Sequence, residues 1–155
     1  MKISNSWAQS IFVLLALSRL PQQKTLTSLA LAERLELSPT YLKKVMKILA
    51  NESLVHSERG KGFCLARPLE DIDFYDVYLA TEGRSGIFNP QNLLTPFLNR
   101  DPHDPRKCAV SYSMEKLQKQ IEENMKSYVL GDMMNEILVD FDTADLDEWV
   151  RLNAS

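Results

Sequence analysis

The sequence predicts a mainly α-helical fold with a small β-hairpin wing (α+β), namely a winged helix-turn-helix domain plus a long dimerisation helix. Three observations predict it. Two short helical stretches are separated by only Glu36, Leu37 and Ser38, the tight join of a helix-turn-helix. Two alternating runs around a glycine turn follow directly, as a wing would. Further on, an 18-residue stretch carries a single apolar seam and otherwise polar residues, so it calls for another surface to cover it.

The elements follow in order. From Ile3 to Leu20, Ile3, Trp7, Ile11, Leu14 and Leu15 recur at helical spacing, with further apolar residues on neighbouring faces. This predicts a helix buried on several sides and ended by Pro21. Lys2 and the run Ile11 to Leu17 faintly suggest a signal peptide, but polar Asn5, Ser6, Gln9 and Ser10 interrupt them and no small-residue cleavage site follows. Nor is the run near the roughly 20 apolar residues that span a bilayer. Thr27 is the expected N-cap of a second helix to Glu36, with Leu31 and Leu35 on one face. Ser38 before Pro39 starts a third: the serine oxygen can accept an orphan N–H, and proline loses nothing at the first helical position. That helix runs to Asn51, with Leu42, Val45 and Ile48 or Leu49 inward.

Ser53–Glu58 and Phe63–Ala66, joined by Arg59-Gly60-Lys61-Gly62, predict the hairpin. A helix is expected over Asp73–Thr81, capped by Gly83. Residues 84–110 contain Pro90, Pro96, Pro102 and Pro105 and read as mostly loop. The long helix is expected over Ser113–Leu130, where Met114, Leu117, Ile121, Met125 and Tyr128 form the seam. A last helix is expected over Thr143–Leu152, with Leu146, Trp149 and Val150 inward. The implied division is 1–68 for the winged helix-turn-helix domain, 69–135 for linker helix, loop and dimerisation helix, and 136–155 for a C-terminal tail with a short helix.

Composition sets the function classes. A content of 45% hydrophobic residues is enough for a packed core. Two cysteines cannot make a disulfide framework or a four-thiolate metal site, and free thiols suit a reducing cytoplasm. The net charge of −3 conceals an asymmetry: residues 1–68 hold ten Lys/Arg against four Asp/Glu, and residues 69–155 eight against seventeen. A basic half that meets a polyanion is the reading this favours. In the third helix, Thr40, Tyr41, Lys43, Lys44 and Lys47 alternate with the inward residues and fall on or beside the outer face. Such a helix can lie in a major groove, with lysines reaching phosphates or guanine edges. Arg59 and Lys61 add two cations at the hairpin tip. No glycine-rich phosphate loop, His-Glu-x-x-His helix or nucleophile elbow is present, and Glu122, Glu123, Asp140, Asp142, Asp145 and Asp147 read as a solvated acidic surface. An enzyme is not expected.

At these residues the sequence resembles the Rrf2 family of bacterial transcriptional regulators. The resemblance runs through Met1-Lys2-Ile3-Ser4, Leu26-Thr27-Ser28, Leu31-Ala32-Glu33-Arg34-Leu35 and Leu37-Ser38-Pro39-Thr40-Tyr41-Leu42. It continues with Leu54-Val55, Ser57, Arg59-Gly60, Gly62-Phe63 and Leu65-Ala66-Arg67-Pro68, then Asp76-Val77 and Ala80-Thr81-Glu82-Gly83. Cys108-Ala109-Val110 and Leu130-Gly131-Asp132-Met133 resemble the ends of the family's dimerisation arm. The resemblance covers about residues 1–135. It implies a cytoplasmic homodimer on double-stranded DNA, most often a repressor at an inverted repeat, with a small-molecule or protein effector and no membrane partner. By position, it implies that Ser28, Ser38, Thr40, Tyr41, Lys43, Lys44, Lys47, Arg59 and Lys61 contact DNA, Tyr41 being partly structural.

Two departures stand out. The family's turn usually places two residues between Arg-Gly and Gly-Gly-aromatic, whereas Arg59-Gly60 here meets Lys61-Gly62-Phe63 directly. The cluster-binding members carry three cysteines before the long helix, and residues 84–112 hold only Cys108; with His103 that gives two ligands at most, so an iron–sulfur cluster is not expected. Cys108 is a candidate redox thiol, with Arg106 and Lys107 beside it to stabilise a thiolate; the plainer reading is a small residue at a helix start. Cys64 reads as packing, and neither His56 nor His103 as a ligand. The rival functions are a winged-helix interaction module without DNA binding, a thiol-based redox regulator using Cys108, and, least favoured, a thiol-dependent enzyme.

Overall fold

The computed structural model describes residues 3–88 and 91–155; Met1 and Lys2 of the N-terminal motif and Pro90 of the loop lie outside the described residues. Helix α1 spans Asn5–Leu17, α2 Ser28–Leu35 and α3 Pro39–Asn51, followed by strands β1 Val55–Glu58 and β2 Gly62–Leu65. A 3₁₀ turn at Leu69–Asp71 leads into α4 Phe74–Glu82. Then come α5 Leu94–Leu98, α6 Ala109–Lys126, α7 Leu130–Asp140 and α8 Ala144–Asn153.

Helix α1 lies in the middle, touching α3, α4, α7 and β2. In its second half Ile11 and Val13 to Leu17 are buried and Phe12 alone faces out, so the helix comes close to the expected burial on several sides. One core joins it to Leu31, Leu42, Val45, Met46 and Leu49 of the helix pair, Val77 of α4, Leu130 and Met134 of α7 and Val150 of α8. The helix is shorter than Ile3–Leu20 because Ser18 to Leu20 tighten into i→i−3 bonds, Arg19 N–H to Ala16 O and Leu20 N–H to Leu17 O, before Pro21.

The caps form where the residue types require them. Thr27 Oγ1 accepts from Ala30 N–H (3.1 Å) and Ser38 Oγ from Tyr41 N–H (3.4 Å), with Pro39 first in α3. Between α2 and α3, Leu37 N–H returns to Ala32 O (2.8 Å), the 6→1 bond of a Schellman end. The left-handed position there is filled by Glu36 at φ 56°, where glycine is the usual choice. Helix α4 starts in a reciprocal capping box, Asp76 N–H to Asp73 Oδ1 and Asp73 N–H to Asp76 Oδ2.

β1 and β2 pair antiparallel, Val55 with Leu65 through Glu58 with Gly62. Leu26, in the α1–α2 link, adds a third short rung by exchanging both backbone bonds with Phe63 (3.0 and 2.8 Å). Gly62 is required here. At φ +147° its backbone lies so close to Leu26 that a Cβ would sit 2.5 Å from the Leu26 carbonyl oxygen.

Two expectations are corrected. The long helix has the expected 18 residues but starts at Ala109 and ends at Lys126, because Tyr128 and Val129 peel away to pair with α4's start. Phe74 N–H donates to Tyr128 O, and Asp73 bridges Val129. Next, α7 crosses the expected boundary at 135/136, with Leu130, Gly131 and Met134 buried against the 3₁₀ turn. Within the mostly loop stretch 84–110, α5 forms with Pro96 inside it, tolerated because a residue in a first turn has no intrahelical acceptor for an N–H. Helix α8 sits within a residue of its expected bounds and buries Val150. Among the described residues, no helix is long and apolar enough to cross a membrane.

Candidate nucleic-acid interface

Helix α3 divides cleanly. Leu42, Val45, Met46 and Leu49 are buried, while Thr40, Tyr41, Lys43, Lys44 and Lys47 are exposed. Met46 joins the core, which sequence spacing left out, and Ile48 is only half-buried. Thr40, Lys43, Lys44 and Lys47 follow i, i+3, i+4, i+7 spacing, so they share one face. None of the ion pairs found among the described residues engages these lysines, which leaves them available to an external anion.

The neighbouring candidates behave differently. Ser38 is exposed; its oxygen accepts the capping bond of α3, which leaves the O–H to donate outward. Tyr41 stands at the edge of that face, and its hydroxyl donates to Ser6 Oγ of α1 (3.1 Å), so it braces α3 as well as facing outward. Ser28, first in α2, is half-buried. At the wing, Lys61 N–H closes a turn onto Glu58 O (3.1 Å), and Gly60 at φ +79° occupies its third position. Three residues, Arg59 to Lys61, separate the last paired positions. Arg59 and Lys61 are both exposed. Glu58 lies 3.7 Å from the Lys61 ammonium and offsets part of the tip's charge.

The acidic C-terminal segment meets this domain away from the α3 face. Asp147 takes Arg19 side-on, Nε to Oδ1 2.8 Å and Nη2 to Oδ2 3.2 Å. This holds the Asp147 carboxyl below its ordinary range. Asp145 accepts from Arg34 (2.7 Å), whose guanidinium also lies 5.4 Å over Trp149. Ser155 exchanges two backbone bonds with Thr25 (both 3.0 Å), one residue from the Leu26 rung that carries the wing. Asp145 and Asp147, read as solvated surface, are therefore part of a brace.

Helix α6 contains no buried residue. Of the expected seam, Met114 and Leu117 are exposed, and Ile121 and Met125 are half-buried. Tyr128 lies beyond the helix and stacks on Phe74 at 5.4 Å. The polar flank is what packs inward: Gln118 Oε1 accepts from Ile87 N–H (2.7 Å), and its amide donates to Glu122 (2.6 Å). Val110, Tyr112, Met114 and Leu117 are left uncovered.

Cys108 immediately precedes α6. Its thiol is pulled below the usual cysteine range by the backbone N–H groups of Ser111 and Val110. The neighbouring cations are not the cause, since Arg106 is held by Asp104 and Lys107 by Glu115. Cys64 moves the other way, pushed up by burial and then by Glu58.

A family model described as Rrf2, iron-dependent transcriptional regulator, matches residues 3–136. The putative HTH-type transcriptional regulator YffB of Lactococcus lactis is 41% identical over 152 residues, 97% of each chain. YwgB of Bacillus subtilis, described in the same words, is 37% identical over 97% of this chain and 95% of its own. Among solved structures, CymR, the global cysteine regulator of B. subtilis, superposes with a TM-score of 0.64 at 20% identity, covering 87% of this chain and 97% of its own. T. potens IscR gives 0.64 at 23% identity over 94% and 96%. At such identity the two structures speak to the fold.

Iron, named in that description, does not fit the residues present. The sequence has two cysteines, one in β2 and one before α6, and among the described residues no three His, Cys, Asp or Glu gather as a ligand group.

Proposed function

This chain belongs to the Rrf2 family and is a DNA-binding transcriptional regulator, and on that premise we propose that it works as a cytoplasmic homodimeric repressor on an inverted-repeat operator. Residues 1–68 read DNA, α6 joins the two copies, and α8 with the residues after it braces the reading domain from behind. The observation that carries the proposal is the face of Thr40, Lys43, Lys44 and Lys47, exposed on a helix whose other side is core.

Each α3 enters a major groove, with Lys43, Lys44 and Lys47 at phosphates or guanine edges and Thr40 at a phosphate near the helix start. Ser28 and Ser38 approach the backbone at the starts of α2 and α3, and Tyr41 holds the helix in place from α1. Arg59 and Lys61 lie towards the flanking minor groove. The three-residue tip and the Glu58 carboxylate beside Lys61 make this the weaker of the two contacts. Dimerisation uses the uncovered face of α6, chiefly Met114 and Leu117 with Ile121 and Met125 at its edge. An 18-residue helix with no buried side chain needs such a cover. Half-sites then lie about one helical turn apart, roughly 34–36 Å, or a multiple of it.

Recovering bound sequences from fragmented genomic DNA tests this. The expected product is a palindromic site bound with steep salt dependence. Failure to enrich any sequence over random DNA would leave the interaction-module reading in its place.

A further inference from the structure

Between α5, the following loop and the first turn of α6 lies a cavity of 810 Å³, within the size range of small-molecule sites. Part of its lining is apolar, from Leu93, Leu94 and Phe97 on one element and Val110 and Met114 on the other. Leu93 and Phe97 are 63% and 82% exposed, so a large part of that lining lacks a cover from this chain.

The other end is cationic. Arg100, Asp104, Arg106 and Lys107 line it, and Lys107 is spent on Glu115 outside the cavity. Asp104 faces two guanidinium groups, at 2.6 Å from Arg106 and 3.4 Å from Arg100, which leaves one positive charge in excess. Arg100 is the more telling of the two. Its side chain is only 16% exposed, Nη1 faces Asp104, and Nε has no hydrogen-bond partner among the described residues. Nε is closed off from solvent as it stands, and a small turn of the guanidinium into the cavity would present the Nε edge that grips a carboxylate side-on and relieve the cost of a buried donor left unmade. The first turn of α6 lines the same cavity at Ala109, Val110 and Ser111, where the N–H groups of Val110 and Ser111 bond the Cys108 sulfur and lower its thiol.

We propose that this cavity binds a small organic carboxylate, with its anionic head at Arg100 and an apolar body of one ring or a short chain along Leu93, Phe97 and Met114. Its consequence rests on the repressor reading. Met114 belongs to both the cavity wall and the uncovered face of α6, so an occupant bears on how two copies meet and thereby on operator affinity.

The test uses full-length protein, 4-phenylbutyrate as probe, and 4-phenylbutyramide and 4-phenylbutanol as neutral matches. Iodoacetamide labelling near neutral pH reads the site through Cys108, with the raised thiol of Cys64 as internal control. The acid should slow Cys108 labelling about threefold at twice its Kd, and the neutral matches should bind about tenfold more weakly for want of the charge-assisted bond. Arg100→Gln should erase the preference for the acid over the amide. Phe97→Ala, at a residue that supports nothing in the fold, should weaken all three probes and serves even if the Arg100 variant misfolds. Absence of Cys108 protection, equal protection by acid and alcohol, or equal slowing at Cys64 would each overturn the assignment. Operator binding is measured in the same samples: protection without any DNA binding sinks the repressor reading alone, and DNA binding without protection sinks the cavity alone.

Discussion

Gly62→Ala tests how the wing is held. The added Cβ would lie 2.5 Å from Leu26 O and 2.7 Å from its carbonyl carbon, both backbone atoms with no side-chain freedom to move aside. The strand must back away, breaking the two Leu26–Phe63 bonds of 3.0 and 2.8 Å. Two hydrogen bonds at about 1 kcal/mol each, plus roughly 1 kcal/mol for a side chain at positive φ, give a loss near 3 kcal/mol. For a chain of this length that is a fall in Tm of roughly 6–12 °C, read by circular dichroism. Gly60→Ala is the internal control, because φ is also positive (+79°) but nothing lies within 4 Å, and its cost should stay near 1 kcal/mol. Operator affinity should fall more for Gly62→Ala, since the wing loses its anchor. Equal, small losses in the two variants would refute the close-approach argument.

Three further outcomes follow from the same geometry. Glu36→Gly, which removes a Cβ from a left-handed position, should stabilise by about 0.5–1 kcal/mol in thermal melts; a loss would mean the Glu36 side chain contributes something not visible here. The Asp147 carboxyl is held low by the Arg19 hydrogen bonds, so its contribution is complete above its unfolded value near pH 4 and is lost as pH falls through the folded one. Asp147→Asn should therefore cost stability at pH 7 and flatten the acid limb of a stability–pH curve below about pH 4; parallel limbs would argue against the brace. Leu117→Glu, on the uncovered side of α6, should convert dimer to monomer in sedimentation experiments and weaken operator binding, while leaving the helical spectrum intact.

The parts legible in the sequence are those written in local chemistry. Thr27, Ser38 with Pro39, and Gly60 each act within four residues, and they place α2, α3 and the wing. The outer face of α3 follows from the 3.6-residue period alone. What escaped depends on partners distant in the chain. Leu130, Met134 and Ile137 carry a helical spacing of their own, and Gly131 falls inside α7 rather than at the break, so only the pairing of Val129 with Asp73 separates α7 from α6. The Thr25–Ser155 and Leu26–Phe63 rungs leave no local trace, so the C-terminal segment read as a tail. The proline content of residues 84–110 hid α5, because a proline in a first turn looks the same as one in a loop. Among the candidate contacts, Ser38 shows that one side chain can cap its own helix through its oxygen and keep its O–H for another partner.

The most direct test is the salt dependence of operator binding for the wild-type chain and for a Lys43→Ala, Lys44→Ala, Lys47→Ala variant. Log affinity against log salt should be steep for the wild type, and the slope should shrink by about 2 for each lysine–phosphate contact removed per copy, because the dimer loses two. An unchanged slope, with affinity intact, would mean that α3 does not lie against DNA.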